Sequence, residues 1–306
     1  MKTFLICLSC ILFISFPAYA GESGSETQEK VLYTKNTLYQ YLVVVDNLEK
    51  QERYIYNSKR DYMQGGISIE NPDKLIFPYY QMSFISLAFR ERSPEDVLFV
   101  GLGAGAMPRW FNRHYPEVRT DVVEIDPEIL KVAKEYLHFS ETKNMKVHIS
   151  DGRRFIKRAK KRYDMIFLDA YQTDFIPFHM TTVEFLREVK KALDERGIVV
   201  SNIVSEKKNK YFHSMIKTYR EVFSHLYIFK AGRSGNHIFI ATSDGRLVSP
   251  EELRDRAKRI HRFDIDMMRL SKFYGTYSDF YDPDEAELLT DDFAPVNLYR
   301  YMGEGR

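Results

Sequence analysis

Two patterns of apolar positions divide the chain. Between Val31 and Ile69, short β-branched and aromatic runs at 39–45, 53–56 and 66–69 are separated by turn-rich pieces such as Asp46-Asn47 and Gln64-Gly65. That spacing predicts the strands of a small antiparallel domain. From Pro78 to Arg90 the period lengthens, with Tyr80, Phe84, Leu87 and Ala88 at helical spacing, which predicts a helix opened by the proline. Beyond Asp96 the chain becomes regular. Continuous apolar runs at 97–100, 122–125, 146–149, 165–168 and 198–203 alternate with amphipathic stretches at 106–114, 127–137, 153–160 and 182–193, the last closed by Gly197. Apolar strands separated by amphipathic helices predict a parallel sheet covered on both faces. A helix at 211–223 and strands at 226–229 and 237–241 bring the sheet to about seven strands. The expected organisation is an N-terminal β-domain at 31–77, an α/β domain at 78–245 and a partly helical extension at 246–306.

Composition sharpens this picture in two places. With 44% hydrophobic and 29% charged residues in 306, the chain is globular. Residues 1–20, MKTFLICLSCILFISFPAYA, place one lysine before an apolar segment that ends in Ala18-Tyr19-Ala20. This is the layout of a cleaved secretory signal, followed by a polar spacer at 21–30, and it predicts an exported protein, periplasmic or secreted. The apolar run at 4–16 is short for a bilayer span, so no stable membrane span is expected after cleavage. Leu8-Ser9-Cys10 matches a lipid-attachment site only loosely. Both cysteines, Cys7 and Cys10, fall inside this segment, so the mature chain is expected to carry no disulfide, no thiolate metal site and no cysteine nucleophile. No metal is expected. Loss of Lys2 lowers the formal charge from +2 to +1, which gives no argument for a nucleic-acid partner. The basic run at 153–162 is read as a solvated helix face.

In a doubly wound sheet, ligands sit outside the carboxyl ends of the strands. Four loops at such positions carry chemistry. Gly101-Leu102-Gly103-Ala104-Gly105 lets the backbone approach a ligand closely and aims helix N–H groups at it. Glu124 ends the next strand, 23 residues after Gly101, a spacing at which a carboxylate accepts the hydroxyls of a ribose. Asp126, before Pro127, is read as a helix cap. In Ser150-Asp151-Gly152, Asp151 can accept an adenine amino group, cap the basic helix, or do both. The fourth loop, from Asp169 to His179, sets one carboxylate at a strand end and a second, Asp174, five residues later. A pair of carboxylates beside a nucleoside pocket suits the binding and partial deprotonation of a cationic amine. His179 is read as ordering this loop, with a base beside Asp169 as the other reading. Tyr79, Tyr80 and Trp110 are candidates for a cation pocket or for the interior.

The order of these motifs, from Tyr39-Gln40 through Tyr80-Gln81, the glycine turn, Val123-Glu124-Ile125-Asp126, Asp151-Gly152 and Leu168-Asp169-Ala170, resembles the spermidine synthase family over residues 31–241. The loop at 176–182 with Glu184-Phe185, and Leu289-Thr290-Asp291-Asp292-Phe293 near the C-terminus, are similar to a bacterial branch that includes transporter-fused proteins. The resemblance implies a seven-stranded methyltransferase-like Rossmann domain preceded by a small antiparallel β-domain. It also implies transfer of an aminopropyl group from decarboxylated S-adenosylmethionine to a small-molecule amine or polyamine. In that reading Gln40, Gly101, Gly103 and Gly105 contact the nucleoside and its thioether, Glu124 the ribose, and Asp151 with Gly152 the adenine. Asp169, Asp174 and Tyr80 act on the amine, and the assembly is a homodimer. Departures fall in the amine half: Ala104 stands where the family's turn carries an aspartate, Met82 replaces a carboxylate after Tyr-Gln, and the acidic pair is more widely spaced. An S-adenosylmethionine-dependent methyltransferase, and an exported nucleoside- or polyamine-binding protein without catalysis, are therefore alternatives.

Overall fold

The computed structural model describes residues 28–57, 62–170, 176–232, 235–261 and 264–293. The expected signal at 1–20, most of the spacer and Asp174 lie outside these residues. Strands β1 (Glu29–Asn36), β2 (Tyr41–Asn47), β3 (Glu52–Asn57) and β4 (Tyr62–Ser68) form one antiparallel sheet in chain order. The sequence pattern missed the extent of β4, which continues through Gln64-Gly65 with a β-bulge at Gln64, pairing Gly65 with Ile55 and Met63 with Tyr56. Leu42, Val44, Ile55 and Ile67 bury one face of this sheet in a core shared with the larger domain. Polar contacts fix the same junction: Arg53 Nη1 donates to the Tyr136 carbonyl at 2.6 Å, and Thr37 Oγ1 to Asp126 Oδ2 at 2.7 Å.

The stretch from Pro78 is not one helix. Helix α1 (Pro78–Ser83) tightens into a 3-10 turn over Phe84–Phe89. Two hydroxyls bond back onto the chain there, Ser83 Oγ to the Tyr79 carbonyl at 2.8 Å and Ser86 Oγ to the Ser83 carbonyl at 2.6 Å, a competition that distorts regular helix. Trp110 is fully buried, with its ring 4.3 Å from that of Phe84, and so belongs to the interior rather than to a cation pocket.

The second sheet contains β5 (Asp96–Val100), β6 (Arg119–Glu124), β7 (Met145–Ile149), β8 (Tyr163–Leu168), β9 (Leu193–Val204), β10 (His225–Lys230) and β11 (Asn236–Thr242) in the order β10-β11-β9-β8-β5-β6-β7. The strands β5 to β9 are parallel, and β11 runs antiparallel to both its neighbours. The sheet is therefore mixed. The connection at 231–235 is too short for a crossover, so β10 and β11 close as a hairpin. Gly197 ends no helix: β9 begins at Leu193, and its register against β8 jumps between Tyr163↔Leu193 and Met165↔Ile198.

Helices α2 (Ala106–His114), α3 (Pro127–Tyr136), α4 (Gly152–Arg158), α5 (Val183–Ala192) and α6 (Phe212–Val222) connect these strands; α7 (Pro250–Ala257) and α8 (Met267–Ser271) follow. Side-chain caps start three of the five connecting helices, Asp126 on α3, Asp151 on α4 and Thr182 on α5, each satisfying an N–H that the helix leaves unpaired. From β5 the chain steps outward to β6 and β7, then returns to place β8 on the other side of β5. That reversal between β5 and β8 opens a crevice at their carboxyl ends.

Candidate functional site

A cleft of about 530 Å³ occupies this crevice, roofed by residues of the N-terminal sheet. Its volume suits a nucleoside with an appended chain. The glycine turn forms the floor. Gly101 has φ of +101°, and a Cβ there would lie 2.2 Å from the Asp169 carbonyl oxygen; only glycine permits this approach of the two strand ends. Gly103, with φ of +51°, also lines the cleft beneath the main chain of Gln64. Gly105 lies elsewhere. A Cβ on it would meet the Phe139 ring at 2.6 Å, so it packs the start of α2 rather than facing the cleft.

Glu124 lines the cleft beside the glycine turn. Its two oxygens accept the N–H groups of Leu102 at 3.1 Å and Asp126 at 3.0 Å, which aims the carboxylate across the glycine turn. Burial pushes its carboxyl above the usual range, against the pull of the Asp126, Leu102 and Ile125 N–H groups. Asp126 is itself buried and spent on Glu128 N and the Thr37 hydroxyl, the capping role expected of it. Asp151 caps α4 through Arg154 N at 2.8 Å and takes a second bond from His179 Nε2 at 2.9 Å. The histidine contact, more than any other, holds its carboxyl below the usual carboxylate range. His179 therefore pairs with Asp151, not with Asp169. Gly152 is forced by packing, since a Cβ would sit 2.5 Å from Val100 Cγ1.

Asp169 occupies the centre of the cleft, at the end of β8. Burial raises its carboxyl to about 6, countered by a hydrogen bond from Asn202 Nδ2 to Oδ1 at 2.9 Å. Asn202 is in turn held by Asn236 Nδ2, which donates to its Oδ1 at 2.9 Å. Both asparagines line the cleft, and sequence reasoning missed both. The available signal was Ser201-Asn202, a polar pair interrupting an otherwise apolar strand. Gln64 was missed too. Its Nε2 donates to Gln40 Oε1 at 2.7 Å, while its own Oε1 is buried without a hydrogen-bond partner among the described residues. Tyr80 is buried beside Gly65, where burial raises its phenol above the ordinary value and hydrogen bonds with Tyr79 and the Gly66 backbone hold it down. It is Tyr79 whose side chain borders the cleft. Among the described residues no cluster of three or more His, Cys, Asp or Glu side chains suits a metal ion.

A doubly wound sheet with a glycine turn at its switch point, an acidic residue after the second strand and a raised carboxyl beside them has the form of a nucleoside-binding α/β enzyme. Comparison with known proteins narrows the class. Residues 77–231 match the spermine/spermidine synthase domain. The chain is 33% identical over 305 residues to the polyamine aminopropyltransferase of Vibrio vulnificus (strain CMCP6), covering 97% of each. A spermidine synthase solved in complex with the transition state analogue AdoDATO has a TM-score of 0.62 at 18% identity, covering 83% of this chain and 86% of that one. Human methyltransferase-like protein 13, solved in complex with SAH, has a TM-score of 0.55 at 26% identity, covering 68% of this chain and 98% of that one. This chain belongs to the spermine/spermidine synthase family, and the relationship supports an aminopropyltransferase function.

Proposed function

We propose that the cleft transfers an aminopropyl group from decarboxylated S-adenosylmethionine to a small amine. The observation that carries this reading is Asp169, a carboxylate raised to about 6 and oriented by Asn202 beside the glycine turn and Glu124. In this reading Glu124 accepts the ribose hydroxyls, Asp151 the adenine amino group, and the turn lets the thioether end pass toward Asp169. The lone pair of a neutral amine attacks the propyl carbon bound to the sulfonium. The carbon–sulfur bond breaks with its electrons going to sulfur, which releases neutral methylthioadenosine, and the new ammonium gives its surplus proton to Asp169 or to water. Positioning and desolvation of the amine supply most of the rate. Release of methylthioadenosine from decarboxylated S-adenosylmethionine, over a panel of diamines and polyamines, tests this. Turnover should require Asp169; no release with any amine, or undiminished release from Asp169→Asn, would overturn the reading.

Methyl transfer from S-adenosylmethionine is the second reading, supported by the likeness to a methyltransferase-like protein solved with SAH. Tritiated methyl label separates the two, because only methyl transfer moves that label to an acceptor. We further propose that the protein acts after export and as a homodimer, on the strength of the apolar segment at 1–20 with its Ala18-Tyr19-Ala20 end and of family membership. Among the described residues no helix is long and apolar enough to cross a membrane. A mature N-terminus at Gly21 in an exported fraction supports the first, an intact Met1 in the cytoplasm refutes it, and sedimentation decides the second.

A further inference from the structure

Two segments remain without a role in this site, the basic run on α4 and the acidic pair Asp291-Asp292 near the C-terminus. The fold joins them at one guanidinium. Arg153, in the first turn of α4, donates from Nη1 and Nη2 to the two oxygens of Asp291 at 2.6 and 2.7 Å, and from Nε and Nη2 to Glu188 of α5 at 2.9 and 3.2 Å. Its Nη1 also reaches the main-chain carbonyl of His179 at 2.9 Å. The run was expected to be a solvated face, yet the side chain of Arg153 is only 15% exposed.

The C-terminal segment is tied across the helix starts beside it. Leu289 N donates to Thr218 Oγ1 at 3.1 Å, and its carbonyl accepts Val183 N at 2.8 Å. Asp291 Oδ1 also accepts the hydroxyl of Thr182, the cap of α5, at 2.7 Å, and Asp291 N donates to Glu184 Oε2 at 2.9 Å. The loop it reaches through Arg153 carries His179, whose ring contacts Asp151 in the cleft.

We propose that residues 286–293 form a strap in which Asp291, acting through Arg153, holds the His179 loop against Asp151 and so sets the grip on the adenine end of the nucleoside. Asp291 is a positioning residue, because it touches neither the cleft nor a reacting atom. A charge-assisted bidentate pair fixes direction as well as distance, so the guanidinium that meets Asp291 squarely is also aimed at the His179 carbonyl. Without Asp291, Arg153 keeps Glu188 and α4 keeps its place, but the third anchor of the guanidinium is free to turn. The loop then retains its own turns, Met180 N to the Pro177 carbonyl at 2.8 Å and the Thr181 N–H and hydroxyl to the Phe178 carbonyl at 3.0 and 2.7 Å, with the contact of Met180 with Gly152, none of which points the His179 ring at Asp151.

The proposal rests on the reading of Asp151 as the adenine acceptor, and titration of the full chain with methylthioadenosine and its 6-oxo analogue methylthioinosine tests it. Asp291→Asn and Arg153→Lys should weaken methylthioadenosine about tenfold, equivalent to about 1.4 kcal/mol, and should shrink the preference for the amino over the oxo base. Asp292→Asn, at the exposed neighbour, should bind as the unaltered chain does. If Asp291 acts through the histidine loop, the Asp291→Asn/His179→Ala double variant should be no weaker than His179→Ala alone. Unchanged affinity in Asp291→Asn, additive losses, or an equal loss for both bases accompanied by a lower melting temperature would overturn the strap. Failure of the unaltered chain to bind either nucleoside would instead remove the nucleoside site, and the strap with it.

Discussion

Asp169→Asn should make the protein more stable while stopping turnover. The carboxyl of Asp169 is displaced from an ordinary 3.8 to about 6, first by burial, with Asn202 opposing. At 1.36 kcal/mol per pKa unit that displacement corresponds to about 3 kcal/mol. Water still reaches the group through the cleft, so about 3 kcal/mol is a ceiling. The folded chain keeps the proton up to about pH 6, whereas the unfolded chain releases it near 3.8, so stability falls as pH rises between these values and stays reduced above them. An asparagine does not titrate, and its amide oxygen still accepts the Asn202 N–H. The variant's advantage should therefore be small below about pH 4, grow through the window to pH 6, and level off above it. Urea unfolding of both proteins at about pH 4, 5 and 8 reads this directly, and thermal unfolding at pH 8 should show a rise of about 5 °C in melting temperature. An advantage independent of pH, or a loss at pH 8, would show that the cleft does not burden this carboxylate. Such a gain with loss of activity is the stability cost expected of a functional group.

Other changes have equally definite outcomes. Asn202→Leu removes the N–H that lowers the Asp169 carboxyl, so the acid limb of kcat/KM, expected near pH 6, should move upward, and a limb that stays in place refutes the role of Asn202. Glu124→Gln should weaken methylthioadenosine about a hundredfold, from the loss of charge-assisted bonds to two ribose hydroxyls at roughly 1.5 kcal/mol each, as read by calorimetric titration; unchanged affinity would take Glu124 out of the ribose site. Gly101→Ala should prevent folding, since its Cβ would overlap the Asp169 carbonyl at a φ of +101°. Gly103→Ala meets its nearest atom at 3.3 Å with a φ of +51°, and should unfold at lower urea by roughly 1–2 kcal/mol. Comparable losses at the two positions would contradict the geometry of the turn.

The parts of this fold that were legible in sequence are those set by local chemistry. Apolar periodicity located the strand and helix alternation from Asp96 onward, and Asp126 and Asp151 mark helix starts because a short acceptor before a helix satisfies its first N–H groups. What escaped was set by contacts distant in sequence. Gln64-Gly65 reads as a turn, yet Gly65 lies within β4, packed so closely that a Cβ would meet the Tyr80 hydroxyl at 2.6 Å. Gly197 reads as a helix stop, but it is compressed between Leu193 and the Tyr163 carbonyl inside β9. The roles of Asn202 and Asn236 depend on strands β8, β9 and β11 lying side by side, an adjacency that no local window contains.

That contrast also explains why the departures from the family pattern cluster in one half of the cleft. The half proposed to hold the nucleoside is made largely from main chain and caps: the turn at Gly101 and Gly103, the N–H groups that aim Glu124, and the helix start at Asp151. Changing one of these positions disturbs the fold as well as the ligand. The departures fall instead on side chains, Ala104 on the turn and Met82 in α1, where a substitution alters charge and leaves the backbone in place. Ala104 illustrates this, its methyl buried beside Gly65 on the turn that floors the cleft. An aspartate there, as the resemblance gives the family's turn, would add a second carboxylate on the turn whose Gly101 abuts Asp169, and like charges drive one carboxyl upward. With alanine, burial alone sets the Asp169 carboxyl at about 6 against the pull of Asn202. It is thus ionised near neutrality and, in the proposed reaction, able to accept a hydrogen bond from the amine. In the proposed reaction, the missing aspartate therefore reduces the negative charge available to a polycation without disabling Asp169.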